Sequence, residues 1–288
     1  MFTNWRHSIP HAPLPQHLDP ERPMSEKHVP PIVACVDGSQ AALNAAQWAA
    51  DEAVRRSVPL RLVYATKATH PSTDDYYADV HRGKKALATA KTAVGSAHTR
   101  VTVETAMVDG PVGQALIDES GHATMICVGS VGIGRYAQSI LGSTATELAQ
   151  KAECPTAIIR MHDDVAPGDI HWIIFAMKDP CDEAVIDNAM AEAALRHAPV
   201  LVLGEQRSGD TFDIQIAELK RRHPDVHLYP VINGDDIANF LKRHDEPVQL
   251  AVIGSSDTDQ LPQILGPYGQ HKFHLFNPAA TSVLVVRS

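Results

Sequence analysis

From Pro31 onward, short apolar runs alternate strictly with stretches of helical spacing, and this alternation limits the possible folds more tightly than anything else in the chain. Ile32-Val33-Ala34-Cys35-Val36 has no polar residue on either side of the pleat, as expected of a parallel strand buried on both faces. Asp37-Gly38-Ser39 turns it into a helix carrying Ala42, Leu43, Ala46, Ala49, Ala50 and Ala53 on one face. Pro59 precedes a second strand, Leu60 to Ala65, and a helix from Tyr76 to Ala97 follows the loop around Pro71. Strand three, Val101 to Val108, ends at Asp109-Gly110-Pro111, and Gly113 to Ser120 is helix three. Met125 to Val128 is strand four, and a fourth helix leads to strand five, Thr156 to Arg160. Such alternation implies a parallel sheet with helices on both faces. Right-handed crossovers then favour a doubly wound, Rossmann-like sheet of order 3-2-1-4-5.

The pattern starts again after a linker. Ile173 to Met177 matches Ile32 to Val36, and Ala194 through Val200 echoes Ala53 through Leu60. Val231 to Gly234 echoes Val108 to Gly110, Val252 to Ser255 echoes Cys127 to Ser130, and Ser282 to Arg287 mirrors Pro155 to Arg160. A repeat this long means two copies of a domain rather than a solenoid, and 288 residues accommodate two domains of about 130 to 140. The expected architecture is therefore α/β, with two tandem five-stranded parallel sheets. Residues 1–28 form a tail, 29–162 the first domain, 163–169 a linker with Pro167-Gly168, and 170–288 the second domain. The tail carries five prolines and four histidines without hydrophobic period, which predicts disorder. Met24, just ahead of the first strand, is an expected translation start.

A formal charge of -9 argues against a nucleic-acid partner, because no basic stripe is available to neutralise phosphates. Arg55-Arg56, Lys84-Lys85 and Lys220-Arg221-Arg222 read as short clusters on solvated helix faces. Cys35, Cys127, Cys154 and Cys181 have no C-x-x-C spacing and mostly sit in apolar runs, as buried thiols of a reducing cytoplasm would. No apolar run approaches the ~20 residues of a membrane helix, so no membrane association and a cytoplasmic location are expected.

The chemistry concentrates in one stretch. Met125-Ile126-Cys127-Val128 opens directly into Gly129-Ser130-Val131-Gly132-Ile133-Gly134, which closes at Leu141-Gly142-Ser143-Thr144. Thr144 with Glu147 fits a capping box, which predicts a helix start here. Strand, glycine loop and helix N-terminus in this order make an anion cradle of backbone N–H groups and helix dipole. The spacing Gly-x2-Gly-x9-Gly-Ser lacks a Walker A lysine and does not follow a first strand, so neither the P-loop nor the dinucleotide fingerprint fits. In a 3-2-1-4-5 sheet, strands one and four flank the point where the winding reverses, and ligands bind beyond their carboxyl ends. Asp37 and Gly129 terminate those two strands and converge on one crevice; the plainer reading of Asp37 is an N-cap on helix one.

Val128-Gly129-Ser130-Val131-Gly132 through Leu141-Gly142-Ser143, followed by Ala152 to Arg160, resembles the ATP loop and last strand of the universal stress protein family. Val36-Asp37-Gly38-Ser39 resembles that family's first-strand signature, at the right separation. The resemblance runs through nearly the whole chain from about residue 29 as a tandem form. It implies ATP or another adenine nucleotide, with Mg2+ as a potential companion, in the first domain. Asp37 and Ala65 would lie near the adenosine end, and Val128, Gly129, Gly132, Gly142, Ser143 and Thr144 around ribose and phosphates. It also implies pairing of domains through their last strands, within the chain and in a homodimer. Val131 departs from the family, where a polar or basic residue is frequent, so backbone donors must do more of the phosphate binding.

The second copy has lost this pattern. Lys178 replaces Asp37, with Asp179 beside it; Asp257 replaces Gly132, with Asp259 nearby; and Gly266-Pro267 replaces Gly142-Ser143. Carboxylates in a phosphate loop repel the ligand, so nucleotide binding is expected in the N-terminal domain alone. No G-x-S-x-G elbow and no set of nucleophile, base and orienting acid can be assembled, so at most a weak ATPase is expected. His271 and His274 lack a third ligand and read as a surface pair. The expected function is an ATP-binding, nucleotide-dependent stress-response regulator. The alternatives are an interaction module that binds no nucleotide and a slow ATP hydrolase.

Overall fold

The computed structural model describes residues 29–98, 100–130, 141–160, 171–178, 180–204, 209–232, 234, 236–244, 246–266 and 281–287. The expected tail, the linker, Met24, Val131, Gly132, Asp179, Pro267, His271 and His274 lie outside them. The first half runs β1 (Ile32–Cys35), α1 (Gln40–Arg56), β2 (Leu60–Thr66), α2 (Thr73–Ala97), β3 (Val103–Asp109), α3 (Val112–Ser120), β4 (Met125–Gly129), α4 (Ser143–Lys151) and β5 (Thr156–Ile159). The second runs β6 (Trp172–Met177), α5 (Glu183–Arg196), β7 (Val200–Gly204), α6 (Gly209–Arg222), β8 (Leu228–Ile232), α7 (Ile237–Arg243) and β9 (Val248–Gly254). A short 3-10 helix (Ser255–Gln260), α8 (Leu261–Ile264) and β10 (Ser282–Val286) complete it.

The strand order is β3-β2-β1-β4-β5-β10-β9-β6-β7-β8 in a single ten-stranded sheet. Each half has the expected order 3-2-1-4-5, and the two sheets join into one through their last strands, the pairing within the chain that the family resemblance implied. The fusion is an antiparallel pairing of β5 with β10, with Leu284 opposite Ala157; the other strand pairs are parallel. Val283 to Val286 is buried, and left as an edge such a strand would recruit another chain.

Side chains alternate across the pleat into two cores. Ile32 and Ala34 belong to the core on the face covered by α1, α2, α5 and α6, whereas Val33 and Cys35 belong to the core on the face covered by α3, α4, α7 and α8. The two halves start their helices with side-chain caps: Ser39 accepts from the Ala42 amide on α1, and Asp182 from the Ala184 and Val185 amides on α5. They stop in the same way too. Ser57 and His197 are the described non-glycine residues with positive φ, and each returns its N–H to the last helical turn.

α1 is lined with alanines on its buried face, which lets it lie close to the sheet, and the end of α1 meets α5 through long charged side chains. There the expected solvated face of Arg55-Arg56 is wrong for Arg56. Its guanidinium reaches the Glu52 and Glu192 carboxylates, both fully buried.

Candidate functional site

The crevice of the first half is built at the carboxyl ends of β1, β2 and β4. Beyond β1, Val36 continues the pairing by donating to the Val63 carbonyl at 2.8 Å. Asp37 Oδ1 then accepts from the Ser39 amide at 2.8 Å, bending the chain around Gly38, whose φ of 90° only glycine adopts without strain. The N-cap of α1 is Ser39, so Asp37 is not the cap. It lies outside the helix, exposed, on the turn that starts it.

Gly129 ends β4 against the first turn of α1. A Cβ there would stand 2.7 Å from the Ala41 carbonyl carbon, so packing alone already demands glycine. The next residue, Ser130, donates its amide to the Ile159 carbonyl at 2.9 Å and accepts from the Gly142 amide at 2.7 Å. The start and the end of the glycine stretch are thus one hydrogen bond apart, and α4 begins directly beside the end of β4.

The capping box expected at Thr144 does not form. Gly142 is the N-cap, Ser143 opens the helix and Thr144 lies within its first turn. Glu147 is committed elsewhere, to Lys151 at 3.1 Å and to the space above Gly113 of α3, where a Cβ would touch its carboxylate. A glycine N-cap brings no side-chain oxygen, so α4 presents first-turn N–H groups and the positive end of its dipole to whatever lies at the crevice.

Of the other expected site residues, Val128 is buried in the sheet core and can contribute only backbone. Ala65 lies half-buried on β2 opposite Val108, and Ser143 is exposed. The topology brings Asp37, Ala65, Gly129, Gly142, Ser143 and Thr144 to one end of the sheet.

Sequence reasoning missed the polar cluster beyond β2. Asp79 of α2 is buried and accepts from Tyr64 Oη at 2.8 Å, the Lys67 amide at 3.1 Å and Arg82 at 3.1 Å, with His70 Nε2 at 2.9 Å. Burial pushes its carboxyl up, but the Lys67 amide, His70, Tyr64 and Arg82 together outweigh burial and hold it well below the ordinary carboxylate range. The cluster ties the β2–α2 loop to the carboxyl end of β2. A signal existed: Asp79 precedes Gly83, Ala86, Ala90 and Val94 on the buried stripe of α2, where a carboxylate requires partners.

A universal stress protein of Mycobacterium tuberculosis is 49% identical over 264 residues, covering 89% of this chain and 96% of the relative. This chain belongs to the universal stress protein family. A second universal stress protein of that organism is 34% identical over 277 residues, with 91% and 98% covered. The universal stress protein family model itself matches residues 29–160. Among solved structures, a universal stress protein from Archaeoglobus fulgidus superposes with a TM-score of 0.68 over 89% of this chain and 95% of its own, at 13% identity. That likeness shows the fold.

Within this universal stress protein the two crevices differ. By strand register Lys178 stands where Asp37 stands, and Gly254 where Gly129 stands. After Gly254 the chain coils at once into the 3-10 helix and α8, and Lys178 pairs with Asp257 across the mouth. Among the described residues no group of His, Cys, Asp and Glu is arranged to hold a metal, and no helix is long and apolar enough to cross a membrane.

Proposed function

We propose that the first-half crevice binds ATP and that the chain acts as a nucleotide-dependent stress-response regulator. The observation that carries this reading is the Ser130–Gly142 hydrogen bond, which sets the uncapped N-terminus of α4 beside the ends of β1 and β4. Phosphates would lie against the amides of Ser143 and Thr144 with the Ser143 hydroxyl nearby, and Gly129 and Gly132 would permit close backbone approach. Asp37 and Ala65 would border the adenosine, and Val128 would contribute backbone. Mg2+ would accompany the phosphates as their counterion rather than occupy a dedicated protein site. The family membership and the order of the two signatures support the same reading.

In this reading the C-terminal domain, residues 170–288, keeps the fold and does not take nucleotide in the same manner. The protein works in the cytoplasm with at most weak ATPase activity. Two chains associate as a homodimer, and since β5 and β10 pair with each other inside one chain, that association uses another surface. The test is the nucleotide content of purified protein after denaturation and chromatography, beside a Gly132→Asp variant. ATP in the wild type and none in the variant is the expected result. No nucleotide in either, with no binding on titration, would leave an interaction module as the function.

A further inference from the structure

The last strand of each half is followed by an arginine, and each arginine reaches across the β5–β10 ladder into the other half. Arg160 comes directly after β5, and Arg287 directly after β10 at the matching position of the repeat. Arg160 Nη1 donates to the Leu265 and Gly266 carbonyls, the second at 2.8 Å. Both acceptors belong to buried residues just beyond α8. A buried carbonyl without a donor is costly, and here the donor comes from the first half.

Arg287 makes the return contact. Its Nη2 donates to the Ala149 carbonyl of α4 over a long 3.4 Å. That carbonyl stands in the last turn of α4, and the amide four residues on, that of Glu153, goes to Ser120 Oγ at 2.8 Å instead. A cation at this end also suits the helix dipole. α4 has nine residues and a helix rises a fixed ~1.5 Å per residue, so what holds Ala149 also fixes where Ser143 stands. The other end of α4 is tied back to Arg160. Gly142 donates to the Ser130 carbonyl, Ser130 donates to the Ile159 carbonyl, and Arg160 is the next residue. Between these two ties α4 lies against the 3-10 helix of the second half.

We propose that Arg160 and Arg287 are positioning residues for the first crevice, and that the second half serves as the support they act through. The inference rests on the reading of that crevice as an ATP site. Arg160 anchors the carboxyl end of β5 on the second half, and through Ile159 and Ser130 it sets the amides at the start of α4. Arg287 holds the far end of the same helix. The second copy, without the glycine pattern for phosphate, thus governs how well the first copy presents its own.

The experiment titrates the full chain with ATP and, without ligand, follows hydrogen exchange of the Ser130 and Gly142 amides by NMR. Arg160→Met is expected to weaken ATP about fivefold and to speed exchange of both amides by a similar factor. Arg160→Lys keeps a charged donor and is expected to fall between; it decides the matter if the Met variant does not fold. Arg287→Met is expected to weaken ATP about threefold. Arg56→Met cuts a contact between the halves on the opposite face of the sheet, and it is expected to leave the ATP affinity and both amides unchanged. The proposal is overturned if either readout is unchanged in the Arg160 variants, or if Arg56→Met moves both as far. Should the wild type bind no ATP, the nucleotide reading fails by itself, and the exchange of Ser130 and Gly142 still decides whether Arg160 positions the crevice.

Discussion

Arg196 of α5 donates to Glu52 of α1 at 2.8 Å, and Arg56 of α1 answers by reaching Glu192 of α5. The four residues occupy matching positions near the ends of the two helices, so the internal repeat has become a nearly two-fold ion network between the halves. Burial pushes the Glu52 carboxyl up, but the charges of Arg196 and Arg56 outweigh it and hold the group below its ordinary value. Arg196 also lies over the Trp48 ring, 4.9 Å from its centre.

Removing one member of this network leaves the others buried without full compensation. Glu52→Gln is expected to cost about 3 to 5 kcal/mol in urea unfolding. A cycle with Arg196→Met, the partner of Glu52 across the halves, is expected to show a coupling of at least about 1 kcal/mol. Independent, additive effects of the two substitutions would mean that the network adds no coupling between the halves.

Acid should weaken the β2–α2 loop through Asp79. The folded carboxyl lies below its ordinary 3.8, so the unfolded chain takes up the proton first and stability falls as pH drops through and below that value. The contribution is complete at neutral pH. Asp79→Asn is expected to lose about 2 to 3 kcal/mol at pH 7 and to flatten the decline between about pH 4 and 2. Parallel wild-type and variant curves over that acid range would contradict this assignment.

How much of this could be read from the residues depends on where the partners lie. Ile32 to Val36 and Met125 to Val128 are apolar on both faces, and a run of that kind has few places to go other than the middle of a parallel sheet. Thr156 to Ile159 and Ser282 to Val286 have the same texture, which by itself does not encode that they meet; their pairing was legible only through the family resemblance, and its antiparallel sense comes from the structure. Arg56 looked like a surface charge because one of its partners lies 136 residues away. The capping box at Thr144 failed for a local reason: the Ser130 carbonyl holds the Gly142 amide and starts the helix at Ser143, ahead of the residue whose side chain would have capped it.

Two substitutions in the first crevice separate fold from ligand. Gly129→Ala drives a Cβ into the Ala41 backbone, so a loss of about 1 to 3 kcal/mol in stability is expected together with loss of bound nucleotide. Ser143 is exposed and caps nothing. Ser143→Ala should leave the melting temperature unchanged and weaken ATP by roughly threefold to tenfold on titration. Unchanged affinity in Ser143→Ala would remove the hydroxyl from the site.

Cutting the chain between its halves exposes β5 on one product and β10 on the other. Both are short, apolar and buried in the intact molecule, and a bare strand of that kind seeks another edge. Residues 29–162 and 170–288 expressed separately are expected to self-associate by sedimentation, and to form a 1:1 complex when mixed. Two stable monomers that ignore each other would show that the β5–β10 ladder contributes little.

Thiol chemistry offers a last contrast, because burial governs it directly. Desolvation pushes the Cys35 and Cys127 thiols well above their ordinary value and Cys154 up to about 12. None of the four cysteines is in a disulfide, and Cys181 is the one at intermediate exposure, on the wall of the second crevice. Thiolate is the reactive form, so Cys35, Cys127 and Cys154 stay inert at neutral pH while the fold persists. Iodoacetamide followed by intact mass spectrometry is expected to add one label to the native protein, at Cys181, and to reach the others only as the chain unfolds. Labelling at Cys127 under native conditions would mean that the centre of the sheet opens far more readily than its complete burial allows.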